Sequence, residues 1–313
     1  MLAGAGRALV NRWAVKPGNR AVIAGADDSM YAAAHTLAAA GVRIAAVADL
    51  RPEPGCETFG LPARPATAIT GSIGRLRVAA VDLQPVGGGS IERIGCDLVL
   101  VAGGWTPSLH LFSQARGKLM FDAARQMYLP GEGPQGLASA GACRGVAGLA
   151  ACIEDGYTAG DGRRVSVAVA GEITPAGGFA GLVPGSSARQ AFVDFQNDVQ
   201  ASDIAQAVQE GFRSIEHMKR YTTTGMATDQ GKTSNINTLA IAADALGRDM
   251  PQVGLTTFRM PYTPTSFGSF AGHSRGDLFD PVRHTPMHGW AAAHGAVFED
   301  VGQWKRARYF PRA

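Results

Sequence analysis

Residues 20–51 read RAVIAGADDSMYAAAHTLAAAGVRIAAVADLR. RAVIAGA is a continuous apolar run of strand length, DDSMYAAAHTLAAA is helical and stops at Gly41, and VRIAAVADLR is a second apolar strand. Strand, glycine turn, helix and strand in this order make a β-α-β unit, whose crossover requires a parallel pair. Such a unit is suited to a dinucleotide, because the glycine turn lets phosphate approach the helix N-terminus. Here the turn is Gly25-Ala26-Asp27-Asp28-Ser29-Met30, without G-x-G-x-x-G. Two carboxylates at the helix start suit the helix dipole but repel a pyrophosphate. Asp49, ending the second strand, stands where a ribose-binding acid belongs. Two readings stay open: a cofactor site on Gly25, Asp27 and Asp49, or a capped structural unit with no ligand. Gly4-Ala5-Gly6 is not a rival turn, since no strand precedes it.

Downstream, TAITGSI, RLRVAAVDLQP and SIERIG alternate between glycine-rich turns, as in an antiparallel meander. CDLVLVAGGW is a continuous apolar strand fit for the middle of a covered sheet. GLASAGACRGVAGLAACIEDG reads as a strand running into a glycine-rich helix. The pattern is α/β, with a dinucleotide-binding-like domain over 1–160 and a Gly- and Pro-rich linker over 161–190. A helical domain follows over 191–250, in which Ser202 is the expected N-cap and Gly211 closes a turn. Residues 251–280 read as a Pro-, Thr- and Phe-rich loop, and 281–313 open a new element.

Composition narrows the function classes. Hydrophobic residues at 46% and charged residues at 18% are those of a globular protein with a real core. The net charge of +3, with no basic run, implies neither a nucleic-acid nor an acidic-membrane partner. No apolar stretch reaches the length of a membrane span, and MLAGAGRALVNRW is too weak for a secretory signal, so a cytoplasmic location is expected. Cys56, Cys96, Cys143 and Cys152 are scattered without metal-like spacing and read as reduced thiols. His284, His288 and His294 lie close together, but Pro286 and Gly289 interrupt any helix that would align them on a metal. Trp290, Trp304, Tyr309 and Phe310 with Lys305 and Arg306 read as core and rim rather than a nucleic-acid surface.

Two further stretches carry resemblances. TTGMATDQGKTSN, residues 223–235, resembles the cluster-binding loop of a small [2Fe–2S] module without its cysteines. Where thiolates are expected stand Asp194, Gln196, Asp229 and Ser234, which are poor ligands for a ferric sulfide cluster. VAGGWTPSL, containing Gly103, and GLASAGACRG resemble the segments of two-dinucleotide flavoproteins that return between domains and meet the cofactor. In that pattern Gly141 would precede an aspartate for a flavin ribityl chain, yet Ala142 follows. A dinucleotide other than FAD, held near Gly141, Ala142 and Gly145, remains compatible.

Taken together, VNRWAVKPGNRAVIAGADDSMYAAAHTLAAAGVRIAAVADLRP, CDLVLVAGGWTPSLHLFSQARGKLMFD, FVDFQNDVQASDIAQAVQEGFRSIEHMKRYTTTGMATDQGKTSN and HGAVFEDVGQWKRARYFPR resemble the alpha subunit of heterotetrameric sarcosine oxidase. The resemblance implies a complex oxidising the N-methyl group of sarcosine to give glycine, hydrogen peroxide and a one-carbon unit for tetrahydrofolate. It implies NAD in the alpha subunit, FMN at a subunit interface, no iron–sulfur cluster, and as partners a flavin-bearing beta subunit and smaller subunits. It also implies that residues 281–313 open an aminomethyltransferase-like folate domain. The family's alpha subunit is much longer, so the chain is expected to be an internal or truncated portion. The oxidising site is expected on another subunit, and no catalytic residue is assigned here. The competing expectations are a non-catalytic scaffold or a degenerate truncated gene product. A self-sufficient dehydrogenase would need a complete dinucleotide turn of its own.

Overall fold

The computed structural model describes residues 1–169, 177–258 and 260–312. The chain divides into two units, Met1–Tyr262 and Thr263–Ala313.

The first unit begins with α1 (Ala3–Trp13), β1 (Arg20–Gly25), α2 (Ser29–Ala39) and β2 (Arg43–Asp49). β1 and β2 run parallel, from Arg20 opposite Arg43 to Gly25 opposite Asp49. After β3 (Ala63–Arg64) the chain forms the meander β4 (Thr67–Gly74), β5 (Val78–Pro85) and β6 (Glu92–Gly95), then returns as β7 (Leu98–Ala102). The parallel sheet has the order β3-β2-β1-β7, so the strand order reverses between β1 and β7.

Both faces of that sheet are covered, which is why its strands are apolar throughout rather than alternating. Ala21, Ile23, Val47 and Leu100 face the helices, packing with Met30, Tyr31 and Leu37 of α2. Val22, Ala46 and Ala48 face the meander and pack with Val81, Leu83 and Ile94. Each fully buried Val, Leu, Ile or Met side chain among these contributes about 1.5–3 kcal/mol of hydrophobic free energy. Gly4 and Gly6 lie inside α1, where Gly6 packs against Leu100.

Next come α3 (His110–Gln114), the hairpin β8 (Leu119–Asp122) and β9 (Met127–Pro130), a 3-10 turn over Gly141–Arg144, and α4 (Leu149–Asp161). The strand expected before Gly141 is not formed. Residues 137–140 have no ladder partner among the described residues, and an unpaired strand leaves its backbone groups without hydrogen bonds. Part of the expected linker, 170–176, lies outside the described residues, and the stretch after it crosses the end of the sheet.

The helical part holds the short hairpin β10 (Phe192–Asp194) and β11 (Val199–Gln200), then α5 (Ala201–Gln209), α6 (Ile215–Thr222), α7 (Asn235–Leu246) and α8 (Met250–Val253). Ile204, Ala207, Ile215, Met218, Leu239 and Ala242 form its core together with Leu109 and Tyr128. The N-cap of α5 is Gln200 rather than Ser202: its N–H donates to Asp203 Oδ2 at 2.8 Å, closing a capping box two residues earlier.

In the second unit, α9 (Phe267–Ala271) precedes β12 (Arg283–His284), α10 (His288–Ala293) and the hairpin β13 (Val297–Val301) and β14 (Trp304–Tyr309). His284 stacks on His288 with ring centroids 3.8 Å apart, while His294 stacks on Trp290 at 4.1 Å. The three imidazoles are therefore engaged with rings and do not converge. No described helix is long and apolar enough to cross a membrane.

Candidate dinucleotide crevice and cysteine-free module

The carboxyl ends of β1 and β7 define the switch point of the sheet, the usual ligand crevice of this architecture. Gly25 closes it at the bottom, because a Cβ there would meet the Ala102 carbonyl oxygen at 1.9 Å. The Ala26 N–H donates to the same oxygen at 3.0 Å. Asp27 is buried, and its Oδ1 accepts the N–H of Ser29, the first residue of α2, at 2.9 Å. Its Oδ2 has no hydrogen-bond partner among the described residues. Burial pushes the Asp27 carboxyl above its usual range, the neighbouring Asp28 adds to this, and hydrogen bonds from Ser29 only partly offset it.

Asp49 is fully buried and its oxygens are taken from within the chain. Oδ1 accepts Arg51 N and Nε, both at 3.0 Å, while Oδ2 accepts Arg51 Nη2 at 2.8 Å and Tyr31 Oη at 3.0 Å. Arg51 Nη2 also reaches Asp28 Oδ1 at 2.7 Å, and Asp28 accepts Gly55 N–H at 3.2 Å. Burial, with the Asp28 carboxylate second, pushes the adjacent Cys56 thiol up to about 11, so it stays protonated at neutral pH and is not a nucleophile. Trp105, just past β7 and half-exposed, donates Nε1–H to Ser29 Oγ at 3.3 Å.

A short strap crosses this end of the sheet. Gly177 pairs with Asp27 and Gly178 with Gly104 in antiparallel bridges, and Phe179 N–H donates to the Gly103 carbonyl at 2.7 Å. Gly25, Asp27 and Gly103 thus meet at one crevice, with Asp49 joined to it through Arg51 and Asp28.

Gly141, Ala142 and Gly145 sit apart, in the 3-10 turn before α4. Gly141 has φ of 65°, the left-handed region that favours glycine, and its N–H donates to Asp155 Oδ2 at 2.7 Å. Arg144 pairs with both oxygens of Asp155, and with the Gly141 N–H it holds that carboxyl below its usual range. Arg125 Nη1 donates to the Gly145 carbonyl at 2.8 Å, while the Arg125 carbonyl approaches Gly178. Arg125 therefore links this turn to the strap.

In the helical part, the four positions read as vacated cluster ligands do not all face one another. Asp194 Oδ2 accepts the Gly225 N–H at 2.7 Å, and Gln196 Oε1 accepts Thr228 Oγ1–H at 2.9 Å. Asp229 follows Thr228 and accepts from Gly231 N and Thr233 Oγ1. Ser234 instead occupies the N-cap position of α7, and the loop residue bonded to Asp194 is Gly225, next to the buried Thr224. All four cysteines lie before this module, and it has no thiolate to offer a cluster.

Residues 188–273 match the family described as the sarcosine oxidase A3 domain. Over its whole length the chain is 40% identical to sarcosine oxidase subunit alpha of Rhizobium meliloti (strain 1021), covering 33% of that protein. It is 38% identical to sarcosine oxidase subunit alpha of Corynebacterium sp. (strain P-1), covering 35%. The chain is a relative of the sarcosine oxidase alpha subunit. It spans about a third of the length of the sarcosine oxidase alpha subunits that it matches. The crystal structure of L-proline dehydrogenase from P. horikoshii shares its fold, with a TM-score of 0.62 at 16% identity over 83% of this chain and 51% of that one.

Arg51, Tyr31, Asp155, Gly225 and the Gly177–Gly178 strap are site residues that sequence reading passes over. Only Arg51 carries a signal, as a guanidinium two residues beyond a strand-ending acid.

Proposed function

We propose that this chain is part of the alpha subunit of a sarcosine-oxidase-like complex. The complex oxidises sarcosine to glycine, hydrogen peroxide and a one-carbon unit that passes to tetrahydrofolate. The chain contributes NAD binding and subunit interfaces, and the oxidising site belongs to a flavin-bearing partner subunit. The observation that carries this reading is 37–40% identity to sarcosine oxidase alpha subunits along the full chain. The interface role is supported by apolar side chains left in solvent. Phe195 is 74% exposed and Phe192 stacks against it, while Met226, on the loop tied to Asp194, is also exposed. Apolar groups gathered on joined loops suit a partner surface.

The candidate NAD contacts are Gly141, Ala142 and Gly145 in the turn before α4, with Gly25, Asp27, Asp49 and Gly103 at the switch point as the alternative set. FMN is assigned to the interface with the partner. The engagement of Asp49 by Arg51 and Tyr31 favours a second reading, a scaffold that bridges subunits without a dinucleotide. Co-expression with the flavin-bearing and smaller subunits is expected to give one stable complex, and a chain that purifies alone overturns the subunit reading. Calorimetric titration of NAD into the chain separates the two roles. Saturable binding in the micromolar range supports the NAD role, and its absence leaves the scaffold.

A further inference from the structure

Three features of this chain occupy the crevice in which an open parallel sheet takes its ligand. The first is position 27. In a dinucleotide turn the glycine two residues after the strand lets the backbone approach a pyrophosphate. Here that position is a buried carboxylate, and it already accepts the Ser29 N–H, which a phosphate oxygen would otherwise use. The second is Arg51. It fills the space between Asp28 and Asp49 with a guanidinium bound to both, so the acid placed to read a ribose has no oxygen left to offer. The third is the strap. Its backbone pairs with Asp27 and Gly104, and Phe179 N–H takes the Gly103 carbonyl. A Cβ on Gly177 would stand 2.6 Å from the Ala26 carbonyl oxygen, and one on Gly178 would stand 2.7 Å from that of Arg125. Two glycines in succession are what allow the strap to lie this close.

We propose that the switch-point crevice is shut by the chain itself. Arg51 locks its acids, the Gly177–Phe179 strap takes its volume, and any dinucleotide held by this chain is held at the Gly141–Gly145 turn instead. Only the last clause rests on the NAD reading above. The Asp28–Arg51–Asp49 group is then an internal substitute for a ligand, joining the β1–α2 turn to the end of β2 as a bound nucleotide would.

Residue-resolved hydrogen exchange of the chain, without and with saturating NAD, tests this. In the NAD-free chain the Phe179 amide is expected to exchange at least about 100-fold more slowly than exposed amides, as a stably paired backbone group does. Gly177→Val is expected to lift the strap and remove most of that protection. NAD is expected to leave residues 25–30 and Phe179 unchanged while altering 141–145. Fast exchange at Phe179 in the free chain overturns the closed crevice, as does an NAD-dependent change at residues 25–30. If calorimetry shows that NAD does not bind, the NAD reading fails, and exchange in the free chain still decides the closure.

Discussion

The Asp194 carboxylate accepts the backbone N–H of Gly225 at 2.7 Å, across 31 residues of chain. Its other oxygen accepts the N–H groups of Gln196 at 2.9 Å and Asn197 at 3.0 Å. One buried side chain thus ties together the β10–β11 turn and the loop after α6. The first carries Gln196 and the second Asp229, two of the positions read in the sequence as vacated ligands. A hard anion serves because the groups presented to it are backbone donors, which favour a carboxylate.

Asp194→Asn keeps the shape but removes the charge and one acceptor, and is expected to cost about 1–3 kcal/mol of stability. Asp194→Ala leaves three donors without their acceptor and is expected to cost more. Urea unfolding monitored by circular dichroism reads both. An Asp194→Ala midpoint equal to wild type contradicts the role given to this carboxylate.

Arg51→Ala strands two buried carboxylates and is expected to destabilise the chain by about 3–5 kcal/mol. Arg51→Lys should recover only part of this, because an ammonium cannot bond Asp28 and both oxygens of Asp49 at once. Thermal melts of the two variants give the comparison. An Arg51→Lys melting temperature equal to wild type would show that charge alone matters, and one equal to that of Arg51→Ala would show that charge recovers nothing.

Asp27 carries a pH signature of definite sign. Burial raises its folded-state pKa above the 3.8 of an ordinary aspartate, so the folded chain binds this proton more readily than the unfolded one. Its contribution to stability therefore improves as pH falls through the folded value, and the gain is complete below 3.8. Asp27→Asn is accordingly expected to melt higher than wild type at neutral pH, with the advantage shrinking towards acid. A variant less stable than wild type at neutral pH, or one whose advantage ignores pH, would refute this assignment.

Gly25→Ala places a methyl group 1.9 Å from a backbone carbonyl oxygen of the neighbouring strand. Neither strand can yield, so the substitution is expected to cost about 3 kcal/mol or more. Gly4→Ala, in a helix with nothing within 4 Å, is the control and should gain up to about 1 kcal/mol. Soluble yield and melting temperature of the pair check both signs.

The β-α-β unit is legible in sequence because its strands are covered on both faces and so read as unbroken apolar runs. The meander is legible because β5 packs only one face on the sheet and alternates. The strand expected before Gly141 fails for want of a partner, a property of the whole fold rather than of residues 137–140. Ser202 fails as a cap because the capping box formed by Gln200 and Asp203 wins. At the crevice, Asp27 and Asp49 are visible as acids at diagnostic positions. Their partners, Arg51 and a strap from more than a hundred residues downstream, come together only in three dimensions.

None of the residues of α4 is buried, although Leu149, Ile153 and Tyr157 lie along it. Its ties are polar: Asp155 to Gly141 and Arg144, and Glu154 to the Val167 N–H at 2.9 Å. A helix of this length is marginal on its own in water. Because its melting exposes little new apolar surface, it adds little to the denaturant slope or to the heat capacity of unfolding, both of which scale with surface exposed. Molecules with α4 frayed and molecules with it intact would therefore give the same bulk unfolding curve, and only a probe placed on the helix itself would tell them apart.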